Sequence, residues 1–143
     1  MTPKDWTLLV LASAGGPLSP VQLQKTLFLI DRNLSRAQRG VTRFYNFRAY
    51  DYGPFDSAIY TDAVILQTEG RAMISDSAGP HRQYAVTPAG MADAAQLRRA
   101  LEPNVLEYVD RAARWVRSMP FRELVRAIYA QYPEMRANSV FRG

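Results

Sequence analysis

Six helical segments, two short strands joined by a polar turn and one further strand predict an α+β fold that is mostly helical. Three observations carry that prediction. Apolar residues recur at spacings of three and four through most of the chain, hydroxyl–proline pairs stand where helices would begin, and residues 44–55 crowd six of the sixteen aromatics into twelve positions. At 143 residues, 48% hydrophobic and 22% charged, the chain has the size and balance of one domain around one core.

Thr2-Pro3-Lys4-Asp5 sets a capping hydroxyl ahead of a proline at the first helical position, with an acid in the first turn. Trp6, Leu9, Val10 and Ala14 then recur at helical spacing until Gly15-Gly16-Pro17 stops the helix. Ser19-Pro20-Val21-Gln22 opens a second helix with a capping box, and Leu23, Leu27, Ile30 and Leu34 form one stripe with Phe28 beside it. Polar residues 32–40 lead the chain out of that helix.

The aromatic stretch Phe44, Tyr45, Phe47, Tyr50, Tyr52 and Phe55 predicts a strand ended by the turn Tyr52-Gly53-Pro54-Phe55, whose proline can open the next helix at its first turn. A third helix then runs to about Glu69, burying Ala58, Ile59, Ala63, Ile65 and Leu66, with Gly70 placed for a left-handed cap. Residues 71–75 and 81–87 read as a hairpin across residues 76–80. Thr87-Pro88 caps a fourth helix, which Glu102-Pro103 ends or bends, and two more helices cover residues 104–117 and 120–132. In the last of these Phe121, Leu124, Val125, Ile128 and Tyr132 share one face, and Tyr132-Pro133 leaves residues 134–143 as a short tail.

This order predicts a single domain over residues 1–143. Residues 1–101 form a winged-helix-like core with a hairpin wing at 71–87 and a small antiparallel sheet, in which the aromatic strand pairs with the hairpin. Residues 103–133 add a C-terminal helical extension. Leu23-Gln24-Lys25 opening Leu27-Phe28-Leu29-Ile30, the Tyr52-Gly53-Pro54-Phe55 turn, Tyr84-Ala85-Val86-Thr87-Pro88-Ala89-Gly90 after the hairpin, and Tyr132-Pro133-Glu134 with Asn138-Ser139 resemble YwgA-like bacterial proteins and the neighbouring SocA-like (Panacea) antitoxin domains. The resemblance spans roughly residues 5–139. It implies an intracellular winged-helix-like module without catalysis that, in the Panacea group, handles a toxin through protein contact. It carries over only architectural roles for residues 52–55 and 87–90.

Composition removes many chemistries. Cysteine is absent and His81 is the sole histidine, so disulfides, thiol nucleophiles and Cys/His metal centres have no residues to build them. Neither G-x-G-x-x-G nor G-x-x-x-x-G-K-[ST] occurs, so no phosphate cradle is expected. Asp51, Asp56 and Asp62 could in principle meet a cation, but a metal nuclease pairs such carboxylates with a lysine, and only Lys4 and Lys25 exist. The expectation is no catalytic residue, no metal and no cofactor, with His81 an ordinary exposed histidine. Apolar runs such as residues 6–14 are too short to span a bilayer, and no cleavable leader is apparent, so a cytoplasmic protein without membrane contact is expected.

Sixteen of the 18 cations are arginine, and net charge is +5. Residues 32–50 carry Arg32, Arg36, Arg39, Arg43 and Arg48 without an acid, whereas residues 51–70 carry Asp51, Asp56, Asp62 and Glu69 without a base. The first stretch, interleaved with aromatics and joined by Arg82 on the wing, is a candidate nucleic-acid surface; the plain alternative is a solvated helix end followed by a strand with inward aromatics. The second stretch argues against duplex readout, because a winged helix reads DNA with the helix before its wing, and here that helix bears acids and no cation. The sequence therefore favours a protein partner, met through Tyr52, Phe55, Tyr60, Trp115 and Tyr129, with self-association through the last two helices as a further option. The alternative is a DNA-binding transcriptional regulator.

Overall fold

The computed structural model describes residues 1–41, 43–76 and 82–143. Elements follow in the order α1 (Pro3–Ser13), α2 (Pro20–Asn33), α3 (Arg36–Arg39), β1 (Arg48–Tyr50), β2 (Gly53–Phe55), α4 (Ala58–Thr68), β3 (Ala72–Ser75), β4 (Gln83–Val86), α5 (Pro88–Arg99), α6 (Pro103–Ser118) and α7 (Phe121–Gln131), closed by a 3₁₀ turn at Pro133–Arg136. The fold is α+β and mostly helical.

Helix starts follow the local rules. Thr2 and Ser19 each complete a capping box, with Asp5 and Gln22, and proline occupies the first turn of α1, α2, α5 and α6. The same chemistry at Ser35 and Gln38 builds α3, a single turn inside the segment expected to be irregular. Helix α1 is the centre of the molecule. Trp6, Leu8, Leu9 and Val10 are fully buried and Leu11 nearly so, because the helix is enclosed on almost every side rather than along one stripe. The Trp6 indole N–H donates to the Arg39 carbonyl at 2.9 Å, which satisfies its one polar atom. Gln22 has a second task, since its amide donates to the Arg117 carbonyl at 3.2 Å and so serves an orphan acceptor at the end of α6.

Sheet topology departs from expectation. The aromatic strand does not join the β3–β4 hairpin. The chain reverses at residues 51–52, and Gly53, at φ +104°, lets Gly53–Phe55 return along Arg48–Tyr50 as an antiparallel pair of its own, in the register Arg48 to Phe55 and Tyr50 to Gly53. Tyr52-Gly53-Pro54-Phe55 is therefore mostly the second strand rather than the turn that ends the first, and Pro54 sits in that strand instead of opening the next helix, which begins at Ala58. Strands β3 and β4 pair as expected, Ala72 opposite Val86 and Ser75 opposite Gln83, and a third partner arrives from the α1–α2 connection. There Leu18 and Tyr84 exchange two backbone hydrogen bonds of 2.8 and 2.9 Å. The hairpin tip and His81 lie outside the described residues.

The exit of the hairpin is architectural. Thr87 donates its hydroxyl to the Gly70 carbonyl and accepts from the Gly90 amide, and a Cβ on Gly90 would fall 2.0 Å from the Arg71 carbonyl oxygen. Only glycine lets α5 approach so closely. The tail is not loose. Val140 and Asn138 donate to the Asp51 and Ala49 carbonyls, while Met135 and Phe141 are buried, so residues 135–141 clasp the β1–β2 hairpin.

Candidate functional site

Helix α4 stands directly before the β3–β4 hairpin. Its acids, read from sequence as a repulsive surface, are in fact engaged. Asp56 accepts from the Asn46 and Ala58 amides, which caps the approach to α4. Asp62 accepts from the Tyr45 hydroxyl, which is also bonded to buried Thr7; burial, and then this carboxylate, push the phenol well above its ordinary pKa. Glu69 lies between Lys4 and Arg71, and those two cations hold its carboxyl below the usual range. Helix α4 thus displays neither cations nor free acids. Ile59, Ala63 and Leu66 are buried as expected, but Ala58 and Ile65 face outward. Val64 at 50% and Ile65 at 40%, with Met73 at 58% on adjoining β3, remain open to solvent.

The arginine segment divides. Arg39 is drawn inward, donating to the Asp31 and Leu34 carbonyls and lying over the Phe44 ring; Arg32 lies over Phe28 and pairs with Glu134. Arg36, Arg43 and Arg48 are exposed and have no ion-pair partner among the described residues. The aromatics between them turn inward: Tyr45 and Phe47 are buried, and Phe47 meets Phe28 edge to face. Arg82 is paired with Asp76 beside the β3–β4 hairpin.

Of the five residues expected to meet a partner, the structure brings three together. Tyr52, Phe55 and Tyr60, joined by Tyr50, line a cavity of about 190 Å³ between α2, the β1–β2 hairpin and α4. Tyr50 stacks on Phe55 with centroids 4.9 Å apart, and Phe55 meets Tyr60 edge to face. Trp115 lies elsewhere, half-exposed over a groove between α2, α6 and α7. Tyr129 is a correction: its ring is buried beneath Phe141 and its hydroxyl donates to Ser139, because the C-terminal clasp covers it.

The same cavity holds two residues that sequence reasoning passed over. Gln24 pairs both ends of its amide with the backbone of Asp56, at 2.9 and 3.0 Å. Lys25 is 3% exposed, and its amine donates to the Pro54 carbonyl at 3.1 Å. Burial alone lowers the amine to about 7, since no carboxylate among the described residues lies within ion-pair distance. A signal existed in the sequence: Val21, Phe28 and Leu29 stand at i−4, i+3 and i+4 from Lys25, which places the lysine inside an apolar arc of α2.

Comparison with known proteins finds no matching family model, no matching curated protein and no matching solved structure. Among the described residues no helix is long and apolar enough to cross a membrane, and no group of three or more acidic or imidazole side chains is arranged to hold a metal ion.

Proposed function

We propose that this chain is a non-catalytic protein-interaction module with a winged-helix-like core, acting as an antitoxin or a regulatory adaptor. The order α1, the Leu18 bridge, α2, α4 and the β3–β4 hairpin supports the winged-helix reading, with residues 34–57 as an insertion between the second and third helices. The observation that carries the function is the outer face of α4. Where a DNA reader places cations and amides, this helix sets Val64 and Ile65 toward solvent, and β3 adds Met73. Such a face gains from burial against another protein and gains nothing from phosphate.

The test is capture from native lysate, with and without nuclease, using the natural chain and a Val64→Glu/Ile65→Glu variant. The reading expects a protein retained after nuclease and lost with the variant. Capture that disappears on nuclease treatment and survives the variant overturns it. One observation favours a second reading, nucleic-acid binding: the exposed guanidiniums of Arg36, Arg43 and Arg48 lack ion-pair partners among the described residues. Reversing those three charges abolishes salt-dependent DNA binding if that reading holds and leaves partner capture intact if the first one does.

A further inference from the structure

The Lys25 amine has no carboxylate within ion-pair distance among the described residues, although Asp51 lines the same cavity. An ammonium carries three donors, and the geometry accounts for one of them, the bond to the Pro54 carbonyl. The amine stands beside Gly53, where a Cβ would lie 3.6 Å from both Cε and Nζ and 3.4 Å from the Tyr129 ring, and Lys25 and Gly53 both line the cavity. Four aromatic residues, Tyr50, Tyr52, Phe55 and Tyr60, line the same cavity. Burial without an ion-pair partner is costly for an ammonium; alone, the amine meets that cost by giving up its proton more readily, and an anion seated beside it would meet the cost by pairing with the charged form.

We propose that this pocket is a receptor site for a small monocarboxylate with a flat apolar body, the Lys25 ammonium being its cation and the four aromatic rings its walls. A carboxylate fits because its two oxygens accept the remaining donors in charge-assisted hydrogen bonds. A flat body fits because ring faces and edges form the enclosure, and a volume of about 190 Å³ equals about six water molecules of liquid. One negative charge fits better than two because Asp51 lines the same cavity and opposes a second. The carboxylate can arrive on a free metabolite or at the C-terminus of a peptide. The site is separate from the outer face of α4, so loss of capture by the Val64→Glu/Ile65→Glu variant has no bearing on it.

The experiment follows the ε-methylene carbon of Lys25 by NMR in the full chain during titration with phenylacetate, with N-acetyl-Gly-Phe as free acid, and with the amide of each. The proposal expects a saturable shift of the Lys25 signal with at least one acid, and binding roughly tenfold or more weaker for the matching amide, since a charged hydrogen bond is exchanged for a neutral one. Phenylacetate binding tighter than the peptide acid assigns the site to a free metabolite, and the reverse order assigns it to a chain terminus. Equal binding of acid and amide, or no Lys25 shift up to about 10 mM of either acid, overturns the proposal. These comparisons use the natural chain and need no variant to fold. Lys25→Met, checked for native circular dichroism, should abolish acid binding; retention of binding in that variant also overturns the proposal.

Discussion

Helices α2 and α4 invert the usual partition of residues in opposite ways. Helix α2 takes a lysine, a glutamine and a threonine inside, with Gln24 at 1% and Thr26 at 0% exposure, while α4 leaves a valine and an isoleucine outside. Burying a polar group costs free energy unless it is hydrogen-bonded, whereas leaving an adjacent apolar pair half-exposed is a smaller departure. The two departures are not equivalent. In α2 the cost is largely met within the chain: Gln24 answers both backbone groups of Asp56, Thr26 donates to the Gln22 carbonyl, and only Lys25 lacks a full set of partners. In α4 nothing among the described residues covers Val64 and Ile65. The ligands proposed above, one small and anionic and one large and apolar, would each answer one of these departures.

The sharpest way to break this comparison is pH. Unfolded Lys25 titrates near its ordinary value of 10.5, and the folded amine is held at about 7. Between those values the unfolded state binds more protons, so stability rises with pH across that window and is lowest, and flat, below it. The span is on the order of 4 kcal/mol for a buried group shifted this far. Lys25→Met should therefore raise stability to chemical denaturation at pH 6 by about 3 kcal/mol, after loss of the Pro54 hydrogen bond, and the gain should vanish near pH 10. Parallel stability curves for the two proteins would show that the amine is not desolvated.

Next in size is Gln24→Ala, which strands the amide and carbonyl of Asp56 and should cost about 2–3 kcal/mol by urea unfolding. Phe141→Ala should cost about 2 kcal/mol, less than the deepest core truncations, because the clasp ring packs on Phe121 and Tyr129 at the margin of the core. Protease sensitivity at residues 135–143 should rise in the same variant. Smallest is Val64→Glu, within about 0.5 kcal/mol of the natural chain, since the side chain is half-exposed. A large loss there would mean that α4 packs on its own fold rather than on a partner.

Much of the architecture was legible in the chain because its signals are local. Thr2 with Asp5, Ser19 with Gln22 and Thr87 with Gly90 act within three positions, and each starts a helix where the residues demand it. Gly70, at φ +76°, closes α4 as its position requires. The aromatic stretch was misread because pairing is not local: a strand beginning near residue 44 has the same composition whether it joins the wing or folds back on itself, and the reversal before Gly53 decided for the latter. The acids of α4 were legible as charges but not as bonded groups, since Tyr45, Lys4 and Arg71 reach them from other elements.

What the residues settle unaided is where most of the long helices begin, that one hairpin follows the third long helix, and that the chain has no cysteine, no second histidine and no phosphate-loop motif. These depend on identity and near-neighbour spacing alone. The burial of Lys25, the covering of Tyr129 and the exposure of Ile65 belong to the tertiary structure. Each turns on a segment far along the chain: Pro54 is 29 positions from the lysine it holds, and the clasp that hides Tyr129 ends on the β1–β2 turn. Periodicity ranks the faces of a helix, but which face meets protein, ligand or water is decided only when remote segments close over it.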